Sequence, residues 1–273
     1  MKKMNRRTFI KGSAAIGAAA ATISGLSVKS ASAGMVRIPP LRSVDLTATY
    51  QAGMPSFDSL DIMFKVVNYA NFDTGNFYMN IVSIHEHLGT HIDAPVHRIQ
   101  GGKYLPEIPY QQYWMVPAAV IDITEQCAAD ADYQLTVQDI TAWERRYRRI
   151  PKGAWVVVYT GWFEKASNPT AFFNADANGT WHFPGVGSEA ANFLVTERDI
   201  NGVALDVTSV DRGMDVSTGN SSVHVILLSQ EVLVVENLIN LDQLPPRGAY
   251  LSISPLLVDK ASGGPVRVIA ALP

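Results

Sequence analysis

Four of the six histidines in this 273-residue chain fall within thirteen residues, in Ser83-Ile84-His85-Glu86-His87-Leu88-Gly89-Thr90-His91-Ile92-Asp93-Ala94-Pro95-Val96-His97. Imidazole nitrogens and carboxylate oxygens are the donors that borderline and hard divalent ions take. A chain leaving a strand through the Gly89-Thr90 turn can aim His87, His91 and Asp93 at one point. Three protein ligands leave a position for water, and a bound divalent ion brings that water's ionisation near neutral pH. His97 stands four residues past Asp93 and follows Pro95, which restrains the backbone, so it is placed to serve beside the metal as general base and acid. His85 shares a strand face with His87 and reads as a packed or supporting residue rather than a ligand. A purely structural role, hydrogen bonding within a turn, would explain any one of these histidines better than it explains the cluster.

No comparable constellation offers a covalent nucleophile. Ser209 and Ser229 lack an adjacent base, and Cys127 sits in an Ala- and Asp-containing stretch, read as a loop, with no histidine nearby. As the one cysteine of the chain, Cys127 cannot form an intramolecular disulfide and reads as small apolar filler.

The elements that must carry the cluster are mostly strands. Alternating or continuous β-branched runs predict them at Val44–Tyr50, Ile62–Tyr69, Phe77–Glu86, Ala118–Ile123, Trp155–Thr160, Val203–Val207, Val232–Glu236, Ala249–Ile253 and Val266–Ala270. Thr136 and Asp139 have capping-box spacing ahead of Ile140, Trp143 and Tyr147, which predicts a helix over Val137–Arg149. A second helix is expected between Ser188 and Gly202, burying Ala191, Leu194 and Val195, and a short third over Ser222–Leu228. Helices interspersed among many strands suggest a mixed-sheet α/β or β/β/α fold in a single domain spanning residues 34–273.

Composition sets the outer bounds. With 47% hydrophobic and 17% charged residues, the chain is neither disordered nor a polytopic membrane protein. All six basic residues of the first 33 positions lack an acidic neighbour there, and without that stretch 16 basic face 25 acidic side chains, a net charge of −9. Such a body repels phosphate backbones, so no nucleic-acid partner is expected. Asn5-Arg6-Arg7-Thr8-Phe9-Ile10-Lys11 resembles the twin-arginine translocation motif, a soft Ala-rich segment follows, and Ala31-Ser32-Ala33 has the small-x-small cleavage pattern. Residues 1–33 therefore read as a signal peptide, the mature chain starting at Gly34 in the periplasm or outside the cell with no stable membrane span; the alternative is an uncleaved N-terminal anchor. Twin-arginine cargo is exported folded, which suits a protein that loads a metal first.

His87-x-Gly-Thr-His91-x-Asp93-Ala-Pro-x-His97 resembles the signature of the cyclase-like metal-dependent hydrolases, which include bacterial kynurenine formamidases and isatin hydrolases. Thr160-Gly161-Trp162, His182-Phe183-Pro184-Gly185, Leu205 to Asp211, His224-x-x-Leu227-Leu228, Glu236-Asn237-Leu238 and Pro265-Val266-Arg267 resemble later blocks of that family in the same order. The resemblance implies a swivelling β/β/α domain with a mixed, barrel-like sheet and few helices, forming a homodimer or homotetramer. It implies one or two divalent ions, Mn²⁺ or Zn²⁺, held by His87, His91 and Asp93, with His97 transferring protons and His224 and Glu236 completing a second position bridged by Asp93. The reaction it implies is hydrolysis of a formamide or lactam C–N bond, with an aromatic small molecule favoured. Lactone hydrolysis or cyclisation at the same site, and a non-catalytic metal- or solute-binding protein, are the alternatives. The section Ala166–Gly187 is longer than in the formamidases and rich in aromatics, Phe172, Phe173, Trp181 and Phe183, with core or subunit interface as the competing reading; Trp181 and Phe183 within it, and Trp162 before it, are candidate substrate contacts.

Overall fold

The run Trp155–Tyr159 is apolar without alternation, which a strand tolerates only when both of its faces are buried. In the computed structural model, which describes residues 42–58 and 63–273, four such strands lie side by side in parallel at the centre of the sheet. The signal segment 1–33 and the expected start at Gly34 lie outside the described residues. In chain order the strands are β1 (Ser43–Asp45), β2 (Phe64–Ala70), β3 (Met79–Ile84), β4 (His91–Asp93), β5 (Trp114–Asp122), β6 (Gln134–Leu135), β7 (Trp155–Tyr159), β8 (Gly185–Val186), β9 (Gly202–Leu205), β10 (Leu233–Glu236), β11 (Arg247–Pro255) and β12 (Gly263–Ala271).

The main sheet runs β1-β12-β11-β5-β7-β9-β10-β4, with β5, β7, β9 and β10 parallel and the remaining neighbours antiparallel. Gly263, Gly264 and Pro265 at the start of β12 pair with Asp93, Ile92 and His91, so β12 meets β4 and the strands from β12 round to β4 close into a barrel-like ring. β1 adds to β12 outside that ring. Closure removes two edges that would otherwise expose unpaired backbone groups. Alternation along the strands sends Trp155, Val157, Ala204, Val235 and Ile92 into the lumen, whereas Val156, Val158, Val203 and Val234 face the helices. Gly202 stands opposite Trp155 in register, and a Cβ there would sit 2.5 Å from the indole. The fold is mixed α/β, as expected.

The capped helix forms over Val137–Tyr147, Thr136 accepting from the Asp139 amide and Asp139 accepting from the Thr136 amide. The helix Ser188–Phe193 continues as a π-turn through Arg198, and Ser222–Leu228 is helical throughout. Several expectations need correction. Val44–Tyr50 is regular only over Ser43–Asp45, with a lone bridge from Thr47 to Leu238, because its later residues turn in to meet the Gly89-Thr90 turn. Cys127 is not in a loop: it lies buried on a helix, Thr124–Ala129, where it does act as apolar filler. Short helices over Pro169–Phe173 and Gly213–Ser217 and the strands β4, β6 and β8 were not legible, since none is long enough to show a period. Among the described residues no helix is long and apolar enough to cross a membrane.

Candidate metal centre

β4 supplies two donors because alternate residues of a strand face the same side: His91 and Asp93 point out of the ring while Ile92 fills the lumen. Glu236, at the end of β10, is the direct cross-strand partner of His91, so two residues far apart in sequence become ladder neighbours. The turn before β4 is tied to the same place. Thr90 donates its hydroxyl to the Asn237 carbonyl at 2.7 Å, and the Asn237 side-chain Nδ2 donates to the Gly89 carbonyl at 3.0 Å. Gly89 has φ +59°, which reverses the chain and returns His87 over β4.

The outer nitrogen of each imidazole is engaged by protein, which decides what the inner nitrogen can do. The Nδ1 of His91 donates to the Gly89 carbonyl at 2.9 Å. In His224, on the helix Ser222–Leu228, Nδ1 meets Asp211 Oδ2 at 2.5 Å, and the other oxygen of Asp211 accepts from the Val223 amide. His87 Nε2 lies 2.9 Å from Ser262 Oγ, whose hydroxyl in turn donates to the Glu86 carboxylate. The second nitrogen of each ring faces inward: His91 Nε2 toward Asp93 Oδ1 at 3.3 Å and Glu236 Oε2 at 3.5 Å, His224 Nε2 toward Asp93 Oδ2 and Glu236 Oε1 at 3.3 Å each, and His87 Nδ1 toward Asp93 Oδ1 at the hydrogen-bond distance of 2.6 Å. Unprotonated nitrogens so placed repel the carboxylates, and either a proton or a metal cation between them removes the repulsion. Separations of 3.3–3.5 Å also match donors arranged tetrahedrally at about 2.1 Å around a common ion. The residues therefore fit a divalent metal. His87-Asp93-His97 and His91-Asp93-Glu236 form two donor groups, each with its donor atoms within 4.8 Å of one another, and Asp93 belongs to both.

Electrostatics reports the same demand for positive charge. Burial opposes the His91 imidazolium, yet Asp93 and Glu236 raise its pKa to about 9. His224 is likewise opposed by burial and is lifted well above the ordinary histidine value by Asp211, Asp93 and Glu236. Asp93, despite burial, is held well below the usual carboxylate range by His91 and His87. His97 behaves oppositely. Burial pulls it down to about 3 against the attraction of Asp93, with His87 and His224 adding repulsion, so its ring is neutral in the metal-free site. It leaves the short 3₁₀ turn Pro95–His97 and stacks on His87 at 3.8 Å between ring centroids.

These groups open on a cavity of about 390 Å³ whose far wall carries Phe57, Met63 and Trp181. Phe57 and Trp181 pack at 5.4 Å between centroids, and Phe173 braces both. Of the three candidate substrate contacts only Trp181 lines the cavity. Trp162 is buried with its indole N–H donating to the Phe172 carbonyl, and Phe183 is fully buried in the core between sheet and helices, so neither reaches a substrate there. His85 lines the cavity but accepts from the His87 amide and joins neither donor group. His182 pairs with Asp132 at 2.7 Å, outside the cavity wall. Sequence reasoning missed the roles of Asp211, Glu86 and Ser262. Asp211 lay within a family-like block without a function of its own, and Ser262 is 175 residues from the histidine it holds.

The profile of the Cyclase family matches residues 44–212, and that of twin-arginine signal sequences matches residues 3–22. An isatin hydrolase from Roseibium aggregatum is 35% identical over 204 residues, covering 72% of this chain and 76% of the relative. Isatin hydrolase A from Ralstonia solanacearum superposes with a TM-score of 0.78 at 33% identity, covering 93% of this chain and all of that one. An isatin hydrolase solved with the product analogue thioisatinate gives a TM-score of 0.77 at 30% identity, covering 85% and 93% of the two chains. A structure described as a potential metal-dependent hydrolase with cyclase activity shares the fold at 23% identity, covering 84% and 97%, with a TM-score of 0.64.

Proposed function

The chain belongs to the Cyclase family, as an exported hydrolase of amide-type C–N bonds, and we propose that its substrate is a small aromatic lactam or formamide cleaved with a divalent ion, Mn²⁺ or Zn²⁺, held by His87, His91, Asp93, His224 and Glu236. The observation that carries this reading is the set of ring nitrogens of His87, His91 and His224 turned toward two buried carboxylates. Asp93 presents one oxygen to His87 and His91 and the other to His224, an arrangement that favours two ions over one. When bound, the metal supplies Lewis acidity toward the carbonyl and makes water a better nucleophile. His97, neutral and unencumbered beside the donors, accepts the proton of the attacking water and passes it to the leaving nitrogen, so the C–N bond breaks as C–O and N–H bonds form. Asp211, Ser262 and the Gly89 carbonyl keep each imidazole in the tautomer that leaves its inner nitrogen available. Phe57 and Trp181 give an aromatic ring a flat apolar surface against which to orient. The mature enzyme is a single domain, residues 34–273, released by cleavage after Ala33.

The test is turnover of N-formylated anilines, isatin-like lactams, lactones and plain esters by the mature protein before and after chelation, with Mn²⁺ or Zn²⁺ added back. Chelation should abolish hydrolysis of the lactam or formamide, and one of the two ions should restore it. Undiminished turnover in thoroughly demetallated protein overturns the metal assignment. Faster cleavage of lactones overturns the amide assignment, and a metal-loaded protein inert toward the whole panel overturns the enzymatic reading of the site.

A further inference from the structure

The helix Val137–Tyr147 runs out into Arg145-Arg146-Tyr147-Arg148-Arg149-Ile150-Pro151-Lys152, and every cation of that stretch is exposed. Arg247, at the start of β11, joins them by donating from Nη1 to the carbonyls of Tyr147, Arg148 and Arg149. Lys152 pairs with Asp199, but five guanidinium groups keep their charge. Arg145, Arg146 and Arg148 form no ion pair among the described residues, while Arg149 and Arg247 donate only to carbonyls. Glu144, the acid nearest them in sequence, is taken by Arg198 at 2.7 Å. Beyond Arg146 the acids Asp122, Glu125 and Asp139 line a separate cavity, which bounds the patch on that side. Arg148 has φ +72° and ψ 164°, a conformation essentially confined to glycine. Its own amide donates to the Glu144 carbonyl at 2.8 Å and the Ile150 amide to Glu144 Oε1 at 2.9 Å, so the turn is held there. Glycine would fill this position without strain; what arginine adds is charge.

We propose that this arginine turn docks the exported protein on an anionic phospholipid surface, its guanidinium groups holding headgroup phosphates. Guanidinium offers paired N–H donors that match two oxygens of one phosphate, and clusters of this size are what an anionic bilayer attracts. Between Trp143 and Lys152 no large apolar side chain is exposed, so the patch lacks the apolar centre of a protein–protein interface and has nothing to insert into the bilayer. The contact is therefore electrostatic and reversible. Export through the twin-arginine pathway leaves the chain beside a membrane rather than with nucleic acid, so lipid headgroups are the phosphates within reach. The acidic remainder of the molecule does not prevent docking. At physiological ionic strength charges are screened beyond about 8 Å, and headgroups touching the turn meet the arginines rather than the net charge.

Co-sedimentation of the metal-loaded mature protein with vesicles tests this. Wild type should bind phosphatidylglycerol vesicles, ignore phosphatidylcholine vesicles, and be released at about 1 M salt, where screening falls to about 3 Å. Each cation at an anionic surface contributes about fivefold, so R145Q/R146Q/R148Q should weaken binding by about 100-fold with unchanged far-UV circular dichroism. K103Q/K260Q/R267Q removes the same charge outside the turn and should bind as wild type does. R148G probes the turn by itself: it should lose about fivefold in binding while its Tm is no lower than that of wild type. Absence of wild-type binding, equal binding to both lipids, or equal losses in the two triple variants overturns the proposal. So does an R148G protein that melts lower, which would make Arg148 a residue kept for the fold. Capture on heparin without binding to vesicles would assign the turn to a soluble polyanion instead. None of these readouts uses substrate, so the outcome is independent of the assigned reaction.

Discussion

At the residue scale the proposed roles distinguish ligands from the groups that orient them and from the group that moves protons. His97→Ala removes a ring that makes no hydrogen bond to protein among the described residues, so metal content should stay nearly intact while kcat falls by about 10²–10⁴-fold, the usual cost of a lost general acid or base. Asp93→Asn removes the charge shared by both donor groups, and metal occupancy and activity should fall together. Asp211→Asn lies between the two: it removes the negative charge and leaves one acceptor oxygen for two donors, His224 Nδ1–H and the Val223 amide, and metal affinity should weaken by about 10–100-fold with the fold retained. Elemental analysis beside steady-state kinetics on the three proteins distinguishes the roles. Metal loss from His97→Ala equal to that from Asp93→Asn would make His97 a ligand, as its membership of a donor group with His87 and Asp93 allows.

At the element scale the decisive feature is the seam where β12 meets β4. Gly263 pairs with Asp93 there, and a Cβ on it would press on the Ile92 carbonyl and lie 2.7 Å from His87 Cε1. Backbone cannot yield as a flexible side chain would, so Gly263→Ala should force the seam apart and push His87 off Asp93. The expected result is a destabilisation of about 1–3 kcal/mol, typical of overpacking, together with reduced metal content. Gly179→Ala is a control, because a Cβ there meets nothing within 4 Å. Its positive φ of 82° still strains an alanine, so it should cost stability without touching metal content. Equal metal content in Gly263→Ala and wild type would show that the seam does not hold the centre.

For the whole molecule, metal and protons compete for the same charge deficit. In chelated protein the raised pKa values of His91 and His224 mean that imidazolium stands in for the ion. A histidine whose folded pKa exceeds its unfolded value contributes stability that is complete below about 6.5 and lost as the pH rises through the folded value, here about 9 for His91. Thermal melts of the chelated protein should therefore drop in Tm from neutral to alkaline pH. The metal-loaded protein, with those imidazoles already deprotonated, should change less over the same interval. A chelated protein whose Tm rises between neutrality and pH 9 would contradict the assignment of these nitrogens.

What could be read from the chain was local. His87, His91, Asp93 and His97 were legible because a strand's two-residue alternation and a glycine turn place near neighbours on one side, and the Thr136 cap was legible because its partner is three residues away. The strand runs around Trp155–Tyr159 followed from the need to bury unbroken apolar sequence. His224 and Glu236 were visible only through family resemblance, since alone they look like a core histidine and a strand-end acid. Tertiary structure decided the rest. Ring closure at Gly263, the register that sets Glu236 against His91, the burial of Trp162 and Phe183 and the support from Asp211 and Ser262 all depend on which distant segments meet. Spacing along a chain reports the geometry of one element. Which imidazole nitrogens meet the buried carboxylates of Asp93 and Glu236 is set by the packing of elements more than a hundred residues apart.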